Sequence, residues 1–249
     1  MMTKKQTLVA LVAATTAVAF AVPASAALVL TSHTTDTQAN DAINGVGGNK
    51  AVHTWVAEGR IGNRATNGTH ELDLGKTTNG PFVADNSADK TQNVAKQAVI
   101  TSGQMVPFSI VYNPLASTPL VTYTFGSEVM EYVPTGIVET LLIRARSGTS
   151  TETSPNQSQM TLSSLEIDGE SIGSVQASTM STGLDILQVT GSELTDGFTM
   201  TGVAQFWWIG TAPTNSALSF QIKADTVVPE PSAVGLLGGA AAMLLRRRK

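Results

Sequence analysis

Three histidines are the first side chains to consider for metal binding or proton transfer, because imidazole can serve in both roles near neutral pH. His33, His53 and His70 are far apart in the chain, and none belongs to an HExxH pair. Zinc enzymes need their ligands grouped in space, commonly with two of them on one helix. Strand alternation also places His70 on the opposite side from Glu71 and Asp73. The sequence therefore predicts structural histidines and no metal site built on them.

Nucleophilic and phosphate-binding motifs are also lacking in the sequence. The chain contains no cysteine, which excludes a Cys nucleophile, disulfide bonds and Cys-ligated metals. There is no GxSxG elbow, and Gly126-Ser127 and Gly191-Ser192 are predicted to be turns. Gly45-Val46-Gly47-Gly48 lacks the lysine and the helix that a phosphate loop needs, so we expect a flexible loop there.

Acidic side chains offer one further route to catalysis. A hydrolase that uses Glu58 or Glu71 stays an alternative, because a carboxylate pair from different strands cannot be recognised without geometry. Glu58 also lies close in sequence to Arg60 and Arg64. These three residues form either a buried ion pair or a contact to a ligand, and we favour the ion pair.

Calcium prefers carboxylate and amide oxygens as ligands. Two groups of them occur in predicted turns, namely Asp85, Asn86 and Asp89, and Asp36, Asn40 and Asp41. Neither group has the spacing of an EF-hand loop, so we expect solvated turns. No cofactor is predicted, and Ca²⁺ is the one ion that these groups would suit.

Trp207 and Trp208 stand at the end of an alternating run of apolar and polar residues. Adjacent residues on a strand face opposite sides, so Trp208 continues the apolar face and Trp207 projects to the other one. An outward Trp either stacks on a sugar ring or covers the second half of a core. Aromatic residues make up only 5% of the chain, so no broad aromatic platform is expected. Carbohydrate binding through Trp207 is therefore an alternative function.

Alternation of apolar and polar residues predicts that the middle of the chain consists mainly of strands. The predicted strands are 52–58, 69–74, 107–112, 120–125, 129–133, 140–146, 162–167, 171–175, 184–189, 198–208 and 218–222. Asp168-Gly169 is a strong hairpin signal, and Gly126-Ser127 is a second predicted hairpin turn. Only 89–100 has helical spacing. These patterns predict an all-β, antiparallel β-sandwich, jelly-roll-like in topology.

The amino terminus has the three parts of a secretory signal peptide. Lys4 and Lys5 precede the uncharged run 8–22, and a small-x-small site follows. Ala24 and Ala26 fit the peptidase pockets, so cleavage after Ala26 would leave Ala27 as the first residue. The predicted signal helix covers 1–26, and the alternative is an uncleaved membrane anchor.

The carboxyl terminus is also tripartite. Pro229-Glu230-Pro231 is followed by the uncharged run 232–245 and then by four basic residues, Arg246, Arg247, Arg248 and Lys249. As a helix the run is about 21 Å long, which bilayer thinning and snorkelling arginines can match to a hydrocarbon core of roughly 30 Å. The basic tail favours the cytoplasmic side, so the two prolines would lie at the outer face.

This tail closely resembles the PEP-CTERM sorting signal of Gram-negative-type bacteria, over Val228–Lys249. The resemblance implies recognition by an exosortase, a membrane transpeptidase that cuts at or near the motif. It further implies delivery to the cell surface or to an extracellular matrix, commonly together with exopolysaccharide. The alternative is a plain tail anchor.

The middle of the chain resembles the choice-of-anchor class of bacterial surface domains, with the W-type domain as the best match. The resemblance covers residues 30–224 diffusely. It is carried by Trp55-Val56-Ala57-Glu58-Gly59-Arg60-Ile61-Gly62, Gly68-Thr69-His70-Glu71-Leu72, Pro107-Phe108-Ser109-Ile110-Val111-Tyr112, Val121-Thr122-Tyr123-Thr124-Phe125 and Ser219-Phe220-Gln221-Ile222-Lys223. It implies no enzymatic activity and assigns no residue roles.

The charge pattern agrees with three parts: 1–26, a single domain over 27–228, and 229–249. The whole chain carries −4, but 27–228 holds 9 of the 15 basic and 18 of the 19 acidic residues, a net charge of −9. Such an acidic domain argues against nucleic acid as a partner. Residues 27–50 are the part of the domain that would form a loose lead-in. We therefore expect a non-enzymatic exported protein whose partners are signal peptidase, exosortase, the inner membrane before processing, and extracellular polysaccharide.

Overall fold

The architecture is seen in a computed structural model, which describes residues 27–44, 53–61, 71–76, 82–84, 90–148, 157–180, 183–210, 212–213 and 217–226. These residues contain one α-helix, α1 (Asp36–Asn44), and one short 3₁₀ helix (Ser192–Asp196). They also contain fourteen strands: β1 (Val29–His33), β2 (His53–Ile61), β3 (Leu72–Gly75), β4 (Phe82–Ala84), β5 (Asn93–Lys96), β6 (Met105–Asn113), β7 (Leu120–Phe125), β8 (Glu128–Tyr132), β9 (Thr140–Arg146), β10 (Ser158–Ile167), β11 (Glu170–Ser178), β12 (Leu184–Thr190), β13 (Phe198–Trp208) and β14 (Leu218–Asp225).

The strands form two sheets that enclose one hydrophobic core. The eight-stranded sheet has the order β1-β12-β9-β14-β2-β3-β5-β4, and the six-stranded sheet has the order β11-β10-β13-β6-β7-β8. Among the described strands, only the short β4–β5 pair is parallel. The prediction of an all-β, antiparallel β-sandwich is therefore confirmed.

Period-two alternation is the reason that most strands were predictable. In β13 the alternate positions from Phe198 to Phe206 are buried, and the residues between them face outward and are more exposed. The predicted bounds of β7, β9 and β13 agree with the structure. Gly126-Ser127 joins β7 to β8 as predicted. Asp168 and Gly169 join β10 to β11 with φ values of 51° and 83°, as a type I′ turn requires.

The structure corrects the predicted secondary structure at two points. The helical spacing in 89–100 does not form a helix in its described part, because Asn93–Lys96 is β5 and pairs with β3. Of the larger apolar residues in that stretch, only Val94 is buried, and Val99 is 95% exposed. The alternative of a loose lead-in over 27–50 also does not hold for its described part, since β1 pairs with β12 and α1 follows it.

α1 packs on the outer face of the eight-stranded sheet, away from the main core. Ala39 and Ile43 are buried against Leu142 of β9 and Ile186 of β12. Thr35 caps the helix, because its Oγ1 accepts a hydrogen bond from the N–H of Gln38 at 3.1 Å. The helix adds a partial third layer to the sandwich.

The predicted terminal helices lie outside the described residues, both the signal helix over 1–26 and the hydrophobic helix in 229–249. Within the described part of the chain, α1 and the other elements include no helix long and apolar enough to cross a membrane.

Candidate functional site

The outer face of the six-stranded sheet carries a part-exposed tryptophan, Trp207. Trp207 points away from the core and is part-exposed, whereas Trp208 packs against the core. These orientations confirm the prediction from alternation. β13 is an inner strand, and its residue Trp207 lies directly opposite Gln159 of β10. An inner strand is held on both sides, so Trp207 stands on a fixed platform.

A tight turn over residues 101–104 lies beside Trp207, just before β6 begins. The N–H of Gln104 donates to the carbonyl of Thr101 at 3.1 Å, and Gly103 has a φ of 79°. Glycine is favoured at the third position of such a turn because it adopts positive φ without steric cost. A Cβ built on Gly103 would lie 3.8 Å from Cδ1 of Trp207, so the turn borders the indole ring.

Four hydrogen bonds fasten this turn to β13. Ser102 Oγ donates to the carbonyl of Trp208 at 2.8 Å and accepts from its N–H at 2.9 Å. Gly103 N–H donates to the carbonyl of Phe206 at 2.7 Å. Gln205 Nε2 donates to the carbonyl of Gly103 at 2.9 Å. The turn is therefore held in one arrangement beside the indole.

The neighbouring positions on the same face carry uncharged side chains, and most of these are polar. Thr161 lies opposite Gln205, which in turn lies opposite Met105 of β6. Gln159 Nε2 donates to Thr161 Oγ1 at 3.0 Å. We name these residues the Trp207 patch: Trp207, Gln159, Gln205, Thr161 and Met105. The patch offers an apolar plane with amide and hydroxyl groups at its edge.

The outer face of the eight-stranded sheet is charged instead. Arg60 Nη1 lies 3.4 Å from Glu58 Oε2, and Arg60 Nη2 lies 2.5 Å from Asp73 Oδ2. All three residues are nearly fully buried. Glu58 and Asp73 are directly opposite each other on β2 and β3, so Arg60 neutralises two carboxylates that would otherwise repel. The predicted ion pair of Glu58 and Arg60 is confirmed, and Arg64 lies outside the described residues.

A second charged contact fixes α1 on this face. Arg144 Nε donates to Asp36 Oδ1 at 2.8 Å, and Nη2 donates to Oδ2 at 3.0 Å. Burial by itself raises the pKa of Asp36, but the hydrogen bonds and charge of Arg144 outweigh it and lower that pKa. Burial lowers the pKa of Lys223, and the charge of Arg144 adds to this effect. On this side of the sheet, Arg60 is thus joined in ion pairs with Glu58 and Asp73, and Arg144 is joined with Asp36.

The histidines are not brought together. His33 Nε2 lies 2.8 Å from Gln188 Oε1, and His53 Nδ1 lies 2.6 Å from Oδ1 of the buried Asp225. His70 lies outside the described residues. Each of the two described histidines is a local link between neighbouring strands.

The predicted calcium groups have different outcomes. Asp36, Asn40 and Asp41 lie on α1 and not in a solvated turn, so that expectation was wrong. Asp36 is engaged by Arg144, and its carboxylate faces the sheet. Asp85, Asn86 and Asp89 lie outside the described residues. Across the ranges that the structure describes, His, Cys, Asp and Glu form no group of three placed to hold a metal.

The remaining candidates are local structural features. Glu71 Oε2 accepts a hydrogen bond from the N–H of Ala98 at 3.2 Å. Gly191 follows the last residue of β12, and Ser192 is the first residue of the 3₁₀ helix, so a short helix stands where a turn was predicted. The loop 45–48, the signal-peptidase residues and the whole carboxyl-terminal tail from Pro229 to Lys249 lie outside the described residues.

Sequence reasoning missed the partners of three charged residues. Asp73 pairs with Arg60, Asp225 with His53, and Arg144 with Asp36. The last two pairs are separated by 172 and 108 residues, so no local pattern reports them. The helix that brings Asp36 to Arg144 does have a local signal, because Thr35-x-x-Gln38 is a capping box.

Comparison with known proteins identifies no family or relative: no family model matches the chain, and no curated protein matches it.

Proposed function

We propose that this chain is an exported, non-enzymatic surface or extracellular-matrix protein, sorted by a PEP-CTERM signal and processed by an exosortase. The observation that carries the proposal is the order of the last residues: Pro229-Glu230-Pro231, an uncharged run and four basic residues. Two prolines in three residues keep the motif extended, which suits a protease that grips its substrate as an open strand.

The amino-terminal part of the proposal is removal of 1–26 by signal peptidase. β1 begins at Val29, where it pairs with β12. A peptidase that cuts after Ala26 would leave this pairing intact. Export in this way would place the sandwich outside the cytoplasm.

The carboxyl-terminal part is a transient anchor in the inner membrane. β14 ends at Asp225, which is buried and paired with His53. Only four positions separate Asp225 from Pro229, and an extended chain covers about 3.3–3.6 Å per residue. The sorting motif would therefore lie within roughly 14 Å of the fold, so the enzyme would work close to the domain surface.

The domain itself is proposed to be of the choice-of-anchor class with jelly-roll-like connectivity. The chain passes between the two sheets from β5 to β6, from β8 through β10 and from β11 through β14, and such repeated crossing is typical of jelly rolls. A non-enzymatic role is supported by the charged groups, because the buried carboxylates of Glu58 and Asp73 are both paired with Arg60. A role in the extracellular matrix, together with exopolysaccharide, is the function that best suits a non-enzymatic domain of this class.

Replacement of Pro229, Glu230 and Pro231 by Ala tests the sorting step in the source bacterium. We expect a larger form that stays with the inner membrane, while the unaltered protein is shorter and reaches the surface or medium. The matched control, V227A, changes a residue that precedes the signal and should be processed normally. Equal size and location of all three proteins on fractionation and immunoblotting would refute exosortase processing.

A further inference from the structure

We infer that the Trp207 patch binds a neutral polysaccharide, with a pyranose ring stacked on the Trp207 indole. This inference goes beyond the proposed function and does not rest on the terminal signals. The C–H face of a pyranose is apolar while its rim carries hydroxyls, so its ideal receptor is an aromatic plane bordered by uncharged hydrogen-bonding groups. Binding sites for small ligands generally combine one apolar surface with a few placed polar groups.

Pre-organisation is the first argument. The 101–104 turn is fastened to β13 by hydrogen bonds from Ser102, Gly103 and Gln205. Gly103 borders one edge of the indole, and Gln159 lies on the neighbouring strand at the other side. The turn that borders the ring therefore has a fixed shape before any ligand binds, which favours affinity. A merely solvent-facing Trp would not need such support.

Hydrogen-bonding capacity is the second argument. Gln159 Nε2 donates to Thr161, and Gln205 Nε2 donates to Gly103. An amide nitrogen carries two hydrogens, so each donates once within the protein and has a second hydrogen for a ligand. The internal bonds fix both amides in position, and sugar hydroxyls can accept from them.

Charge selects a neutral glycan. Trp207 lies in one row of cross-strand neighbours with Gln159 and Ser178. Gln205 lies in the adjacent row, with Thr161, Gln176 and Met105. None of these side chains is charged. Residues 27–228 together carry −9, and this field repels a polyanion. An acidic polysaccharide would meet repulsion without a basic group in the patch to offset it.

A protein partner is less well matched to this face. The exposed apolar side chains of this outer face include Met105, Val111 and Val129, at 61%, 40% and 45% exposure. Polar residues such as Thr124 and Thr201 separate them, so they form no continuous apolar area of the kind that marks protein interfaces. A linear glycan needs only a narrow track along the sheet.

Affinity electrophoresis of the full chain tests this inference. The protein is kept in a detergent without sugar groups and run through gels that contain β-1,3-glucan, galactomannan or alginate. We expect retardation by at least one neutral polymer, and a loss of affinity of about tenfold or more in W207A, since an anchoring Trp commonly dominates binding. Gln159→Ala should weaken binding by less, and Trp207→Phe should keep part of it.

The matched control is V129A, which removes an exposed apolar side chain from the same face three strands away. It should bind like the unaltered chain, and a thermal unfolding curve of each variant separates lost binding from lost folding. The inference is overturned if neither neutral polymer retards the protein, if alginate retards it more strongly, or if W207A folds and binds as well as V129A.

Discussion

Gly59 and Phe220 lie opposite each other on the paired strands β2 and β14, and the phenyl ring occupies the space where Gly59 would carry a side chain. A Cβ built on Gly59 would be 2.5 Å from Phe220 Cε1. Phe220 can therefore lean across its own sheet and meet Phe108, Phe206 and Phe125 of the other sheet, with ring centroids 5.7, 5.9 and 6.1 Å away. The centre of the sandwich depends on this missing side chain.

Gly59→Ala should therefore destabilise the fold. The added methyl collides with the ring, and overpacking of this kind costs about 1–3 kcal/mol. Chemical denaturation measures the loss. The double variant Gly59→Ala/Phe220→Leu should lose less than the sum of the two single changes, since the smaller side chain gives room. Strict additivity would show that the two residues do not compete for space.

Removal of Arg60 should be more damaging than removal of an exposed cation. Arg60→Met leaves Glu58 and Asp73 facing each other without a counter-charge, and breaking a buried pair costs about 3–5 kcal/mol. The control is Lys90→Met, because Lys90 pairs with Glu131 where both side chains are more than a third exposed. Surface pairs contribute about 0–1 kcal/mol. Equal losses in the two unfolding curves would contradict a buried role for Arg60.

Asp36→Asn should loosen α1 without unfolding the sandwich. The change removes the charge that Arg144 binds, while Ala39 and Ile43 keep only a small apolar contact. Hydrogen–deuterium exchange should rise in the peptides that cover Asp36–Asn44 and stay unchanged in β13. Thr37→Ala, at an exposed position of the same helix, is the control. Unchanged protection of α1 in Asp36→Asn would mean that the ion pair does not hold the helix.

Alkaline pH should unfold the protein through its three tyrosines. Burial raises the pKa of Tyr112, Tyr123 and Tyr132, and for Tyr123 the charges of Glu58 and Asp73 raise it further. A tyrosine whose pKa in the folded state lies above its unfolded value of about 10 stabilises the folded state. This stabilisation is fully present below the unfolded pKa and is lost as the pH rises through the folded pKa. Phenolate absorbance should therefore appear together with unfolding. An absorbance rise near pH 10 with unchanged circular dichroism would contradict this.

β7, β13 and β14 were the most predictable strands, because apolar and polar residues alternate along them. β1, β4 and β5 are short strands at or near the edge of the eight-stranded sheet, and their few residues give no clear period. The apparent helical stripe of Val94 and Val99 does not form one buried face, since Val94 lies in β5 and is buried whereas Val99 follows the strand and is exposed. Helix α1 has only two buried apolar positions, so its capping box is a better signal than its periodicity.

The candidate site was predictable only in part. Alternation alone gives the outward direction of Trp207. The turn that borders it comes from a segment about a hundred positions earlier, as the hydrogen bond between Ser102 and Trp208 shows with a separation of 106 residues. Contacts of this range depend on strand order, which a single sequence does not reveal.

The most direct measurement is the intact mass of the protein recovered from the cell surface or medium, combined with sequencing of its terminal peptides. Two processing steps predict an amino terminus at Ala27 and a carboxyl terminus at or near Pro229-Glu230-Pro231. Recovery of a chain that still contains residues 1–26, or that extends to Lys249, would contradict export and sorting by these two signals.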